Sequence, residues 1–133
     1  MPAQGFPRQV VAYLWAAPAS VIGLLLAPLA LFGGRMTVVD GVLEAHGPVL
    51  RRLLRRLSPL PGGIAAITLG HVVLAADAHL LDWTRAHERV HVRQYERWGP
   101  LFVPAYLVAS AWAMARGGHG YYDNVFEREA RRV

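Results

Sequence analysis

Residues 77–98 read DAHLLDWTRAHERVHVRQYERW, and the reading of this stretch decides the fold. No proline or glycine interrupts it before Gly99-Pro100, and Leu80, Leu81, Trp83, Thr84, Val90 and Tyr95 supply the apolar positions of a helix. Inside it, His87-Glu88-Arg89-Val90-His91 sets two histidines four residues apart, about 40° around the axis and one turn along it. Two imidazoles so placed can share one tetrahedral Zn²⁺ at about 2.0–2.1 Å each. Glu88, one residue on from His87, reaches a water beside such a metal rather than the metal itself, which is where a general base stands.

The five-residue pattern is weak alone. Its rival is a solvent-exposed helix on which Arg85, Glu88, Arg89, Arg93 and Glu96 form i,i+4 ion pairs. A third ligand decides between them. It does not come from the same helix, because Gln94 and Arg97 stand where a longer histidine motif needs other residues. The C-terminus offers Tyr121-Tyr122-Asp123-Asn124-Val125-Phe126-Glu127-Arg128-Glu129-Ala130.

In the order HExxH, intervening helix, N-x-x-E-x-x-A, residues 84–130 resemble the minimal members of the gluzincin type of zinc metallopeptidase. The resemblance implies a zincin-like domain in which His87, His91 and Glu127 hold Zn²⁺, with Asn124 three residues before the ligand glutamate and Ala130 three after. It implies a metalloendopeptidase acting on a peptide or protein substrate, with Glu88 taking the proton of the attacking water. Glu129 is a rival third ligand. Many such proteins carry an aspartate four residues after the ligand glutamate, where this chain has Arg131, so Asp123, Asp77 or Glu129 is left to orient a ligand histidine. His119, Tyr121 and Tyr122 precede the last helix as candidate oxyanion stabilisers, and no spacing rule selects among them.

Upstream, residues 9–34 carry no charge, and about 20 residues suffice to cross a bilayer. Tyr13 and Trp15 sit near one end, as interfacial aromatics do, and Pro18, Gly23 and Pro28 are tolerated in a membrane helix. A cleaved signal peptide fits less well: the apolar run is too long, Arg8 alone precedes it and no clean A-x-A site follows. Residues 1–34 are therefore expected to form an N-terminal anchor, with residues 35–133 as the domain. Arg35, Arg51, Arg52, Arg55 and Arg56 follow the span, which places that domain in the cytoplasm by the positive-inside rule.

Residues 36–45, MTVVDGVLEA, predict a hairpin turning at Asp40-Gly41. Residues 49–57, VLRRLLRRL, predict an amphipathic helix with Leu50, Leu53, Leu54 and Leu57 on one face, begun at Gly47-Pro48 and ended by Pro59 and Pro61. Its arginines face solvent over a leucine-covered core, or rest on anionic lipid. Residues 64–76, broken by Gly70, read as a strand or a pair of strands, with His71 buried or lining a cleft. Residues 98–115 are an apolar intervening helix that cannot cross the membrane if His91 and Glu127 are to share a metal.

The fold class expected is α+β: a transmembrane helix, a short antiparallel sheet, the HExxH helix, the apolar helix and a Glu-bearing C-terminal helix. Composition agrees with a membrane-lipid partner, since 54% of residues are hydrophobic and only 17% charged, against about 25% charged in soluble domains. The net charge of +5 rests entirely on arginine, but no nucleic-acid motif or aromatic interleaving accompanies it, so nucleic acid is not expected as a partner. The absence of cysteine excludes disulfides and thiolate ligands. The alternatives to an enzyme are a membrane-anchored module with a structural metal and an Arg-rich membrane-surface adaptor.

Overall fold

The computed structural model describes residues 6–57 and 65–132. Helix α1 (Phe6–Leu26) leads through a 3-10 turn, Ala27–Leu31, into strands β1 (Arg35–Val39) and β2 (Val42–His46). Helix α2 (Pro48–Leu57) precedes β3 (Ala66–Leu69) and β4 (Val72–Ala75). Helix α3 (Ala78–Trp98), a second 3-10 turn at Gly99–Leu101, α4 (Phe102–Ala115) and α5 (Val125–Ala130) complete the chain. Pro59 and Pro61, read above as ending α2, and residue 64, where the next β stretch is read to begin, lie outside the described residues.

The local signals act where they stand. Asp40 and Gly41 both take positive φ, 50° and 77°, as a type I′ turn demands, and close β1 on β2. Gly70, at φ 64°, opens the two-residue turn between β3 and β4. Pro48 begins α2, where its missing N–H costs nothing. Asp77 caps α3 by accepting from the Leu80 N–H at 2.8 Å, and Gly99, at φ 59°, ends it.

The strand order is β1-β2-β4-β3, with β2 and β4 parallel and the two outer pairings antiparallel. The sheet is therefore mixed, which corrects the expectation of an antiparallel one. β3 starts at the end of the sheet where β2 stops, yet takes the outer edge. Its hairpin partner β4 fills the place beside β2. All four residues of β4, VVLA, are buried, so this strand needs cover on both faces and both edges; β3 alternates buried and half-buried, as an edge strand can.

The two faces of the sheet have different covers. Val72, Leu74 and Ala45 pack with Ala27, Ala30 and Leu50, under the end of α1 and under α2. Val42, Val73, Ala75 and Ala66 pack with Leu81 and Val92 of α3. The leucines Leu50 and Leu54 of α2 are thus core residues, and its arginines are exposed, Arg51 pairing with Asp77 at 2.6 Å.

Helix α1 is a layer of this fold as well as an apolar rod. Ala12, Ala16 and Gly23 of α1, with Ala27 and Ala30 of the turn after it, are buried small residues on the inner side, and large apolar ones such as Leu14, Ile22 and Leu25 point out. A Cβ on Gly23 would stand 2.6 Å from Val72 Cβ, so only glycine allows this approach. The Tyr13 hydroxyl donates to the Gly41 carbonyl at 2.6 Å, and the His71 N–H donates to Ser20 Oγ at 2.9 Å.

Two stretches, Arg8–Leu31 and Ala78–Ala115, are long and apolar enough to cross a membrane. The second is broken by the turn at Gly99–Leu101, and its first half, α3, carries seven charged residues from Asp82 to Arg97.

Candidate metal centre

Three side chains from two distant helices converge. His87 and His91 come from α3, and Glu127 comes from the first turn of α5. The two Nε2 atoms are 3.3 Å apart, His87 Nε2 is 2.9 Å from Glu127 Oε2, and His91 Nε2 is 3.1 Å from Glu127 Oε1. A tetrahedral Zn²⁺ with arms of about 2.0–2.1 Å has ligand–ligand edges of about 3.3 Å, so the donor atoms already stand near the spacing such an ion needs. Two imidazoles and a carboxylate are also a donor set that zinc accepts. The residues fit a divalent cation of this kind.

His91 is held from behind. Its Nδ1 lies 2.8 Å from Gln94 Oε1, one turn along α3. The Gln94 amide nitrogen donates to the Phe126 carbonyl and to Glu129 Oε1, both at 3.0 Å, which turns the amide oxygen toward the imidazole. His91 must then donate through Nδ1, and in its neutral form Nε2 keeps a lone pair aimed at the centre. Glu129 thus lies outside the converging cluster and orients Gln94. Neither Asp77, which caps α3, nor Asp123, whose Oδ2 accepts from the His119 N–H at 2.5 Å, bonds His87 or His91.

Glu127 is fixed by Tyr106 of α4, whose hydroxyl donates to Oε1 at 2.8 Å. Burial opposes its charge, but hydrogen bonds from His87, His91 and Tyr106 hold the carboxyl well below the usual carboxylate range. For His91, burial disfavours the charged ring, and the hydrogen bond and negative charge of Glu127 outweigh it, raising the pKa. Asn124 begins α5: its Oδ1 accepts from the Phe126 N–H, and its Nδ2 donates to the Tyr106 carbonyl and Ser110 Oγ. It ties α5 to α4 and so sets where Glu127 points.

Glu88 stands beside the three and not among them. It is buried, and Thr68 of the edge strand β3 donates to its Oε2 at 2.7 Å. Burial lifts its pKa above the usual value, against the opposing influence of His91, Thr68 and His87. The exposed-helix reading fails on the same residues. Arg85 and Arg89 both reach Glu44 of β2, at 2.8 and 2.7 Å, and Glu96 meets His71 at 2.8 Å. His71 is buried, stacked on Tyr13 and bonded through Nε2, with no partner for Nδ1.

Of the three oxyanion candidates, His119 Nδ1 accepts from the N–H groups of Tyr121 and Tyr122, which commits it to the loop. Tyr122 is exposed, and its carbonyl accepts from Arg131. Tyr121 is half-buried; burial and the nearby negative charges of Glu127 and Glu88 push its phenol pKa up. Two supporting residues escape sequence reasoning altogether: Thr68 and Tyr106. Gln94 carried a signal, its i,i+3 relation to His91 on one helix face.

No family model, no curated protein and no solved structure matches the chain.

Proposed function

We propose that the chain is a membrane-associated zinc metallopeptidase of gluzincin type, with His87, His91 and Glu127 as the metal ligands and Glu88 as the general base. The observation that carries the reading is the convergence of these three side chains with a buried carboxyl beside them. Zinc bound by His87, His91 and Glu127 would supply the Lewis acidity that lowers the pKa of a water and polarises a scissile carbonyl. The chain's own groups do the rest. Glu88, buried beside the three, accepts the proton of the attacking water and returns it to the leaving amine. Thr68 occupies Oε2, leaving Oε1 as the oxygen that takes the proton. Tyr121 is the oxyanion donor. β3 lies at the sheet edge beside α3, where an extended peptide substrate can add as a further strand.

The membrane part of the reading rests on α1. The outer face of α1 and of the turn after it is apolar from Val10 to Phe32 and serves as the anchor, embedded by that side. Tyr13, Trp15, Ser20 and Gly23 hold its inner side to the domain along its length, so a crossing apart from the domain, as expected of a single span, is not open to it. Arg35 and the exposed α2 arginines lie on the domain, which favours the anionic cytoplasmic face of the membrane. Because the inner face of α1 covers the sheet, embedding its outer face holds the domain against the bilayer instead of leaving it on a tether.

A structural metal that staples α5 to α3 is the competing reading, and it gives Glu88 no part. The test is zinc content per chain in detergent-purified protein, followed by hydrolysis of a peptide library. About one zinc is expected in the wild type and in Glu88→Gln, with loss in His91→Ala and Glu127→Ala, and hydrolysis in the wild type only. Zinc without hydrolysis in any assay leaves the staple. No zinc after reconstitution removes both.

A further inference from the structure

Helix α4 has two unlike sides. Phe102, Tyr106, Ser110 and Ala113 face inward, where Tyr106 holds Glu127 and Ser110 accepts from Asn124. The other side is apolar and open: Leu107 is 62%, Val108 68% and Trp112 64% exposed. No charged residue occurs from Trp98 to Ala115, and an arginine stands at each end, Arg97 and Arg116. Arg116 lies over the Trp112 ring at 5.7 Å. Apolar residues between tryptophan–arginine ends are what a helix at the headgroup boundary requires.

The open side of α4 joins that of α1. The Trp15 ring packs on Gly99, leaving no room for a Cβ there, and its Nε1 donates to the Arg97 carbonyl at 3.3 Å. Exposed Leu101 follows directly. The two apolar faces thus meet at the start of α4. With 14 residues, α4 is about 21 Å long, too short for a hydrocarbon layer of about 30 Å.

We infer that the outer side of α4 is seated in one leaflet of a bilayer with anionic headgroups, next to α1, without crossing it. The occupant is lipid, because the face is apolar along its whole length and an arginine stands at each end, Arg97 exposed and 4.0 Å from Glu129 and Arg116 over Trp112, where anionic headgroups would meet them. The inner side of the same helix fixes Glu127 through Tyr106, so the metal centre lies at the membrane surface. This deepens the membrane part of the reading above and needs neither zinc nor hydrolysis to be tested.

The chain has no cysteine, so single nitroxide labels can be placed on the full-length protein. Val108→Cys, Leu101→Cys, Ala115→Cys and exposed Tyr122→Cys would be compared in vesicles of phosphatidylcholine and phosphatidylglycerol, after flotation shows which protein is vesicle-bound. At Val108 the label should collide more with dissolved oxygen than with a water-soluble nickel chelate, with the order reversed at Tyr122. Leu101 and Ala115 should lie at similar shallow depths. A Val108 label open to the nickel chelate in floating protein overturns the seat while leaving α1 as the anchor. Depths that pass through the midplane from Leu101 to Ala115 overturn it in favour of a crossing. Spin–spin broadening at Val108 overturns it in favour of a second copy. Failure to float removes the anchor and the seat together.

Discussion

Gln94 Oε1 lies 2.8 Å from His91 Nδ1, and the same amide is pinned from its nitrogen side by the Phe126 carbonyl and Glu129. One side chain thereby sets both the tautomer of His91 and the docking of α5, which carries Glu127. Removing the acceptor in Gln94→Leu is expected to weaken zinc binding by about 10–100-fold, read by competition with a chromogenic chelator. Gln94→Glu should not rescue it, because its second oxygen would face two acceptors. Unchanged zinc affinity in Gln94→Leu would mean that the imidazole needs no such support.

Thr68 and Glu88 are twenty positions apart in sequence and 2.7 Å apart in space. A hydrogen bond to a charged group contributes about 1.5–3 kcal/mol. Thr68→Val keeps the shape of the side chain and removes the donor, so it should lower peptide hydrolysis by roughly tenfold or more while zinc content stays at the wild-type level. Thr68→Ser should restore the rate. A loss of zinc in Thr68→Val would instead show that the threonine supports the whole centre.

What the sequence revealed follows from the range of each interaction. The bounds of α3, from Asp77 to Gly99, and the Asp40-Gly41 turn rest on capping and turn chemistry within a few residues. The order His87, His91, Glu127 was legible as a pattern, although only the fold brings Glu127 back across forty residues. The parallel pairing of β2 with β4 was not legible, because each hairpin closes locally and nothing local says which strand joins the other hairpin. Thr68 looked like any β-branched strand residue. The small residues along α1 were present in an otherwise apolar run, but a charge-free stretch read for membrane length conceals which side is small.

Glu44 is buried on the sheet face under α3, between Arg85 and Arg89. Burial raises its pKa, but the hydrogen bonds and charges of the two arginines win and hold it below the ordinary carboxylate value. A depressed folded-state pKa stabilises the protein above the unfolded value of about 4.3, and that contribution is lost as pH falls through the folded value. Thermal stability should therefore fall below about pH 4, and Glu44→Gln should flatten that part of the profile. Near neutrality the same variant should cost about 3 kcal/mol, because a buried cation loses its partner. Arg89 is the residue most affected, being nearly buried, with its Nε already lacking a partner. An acid limb unchanged by the substitution would place the acid sensitivity elsewhere.

Gly23 meets Val72 so closely that the sheet and α1 share one packed interface. A leucine there cannot be accommodated by a change of rotamer, since the clash begins at Cβ. Gly23→Leu should destabilise the domain by about 1–3 kcal/mol, in the range of overpacked cores, and Gly23→Ala by less. The neighbouring position Ile22, which points outward, should accept Leu with little change in the same detergent. Deleting residues 1–34 goes further, because it strips the cover from Val72, Leu74 and Ala45. The fragment 35–133 should then aggregate or lose cooperative unfolding even with zinc present, followed by circular dichroism on heating. A soluble fragment that unfolds cooperatively and binds zinc like the full chain would return α1 to the role of a separable anchor.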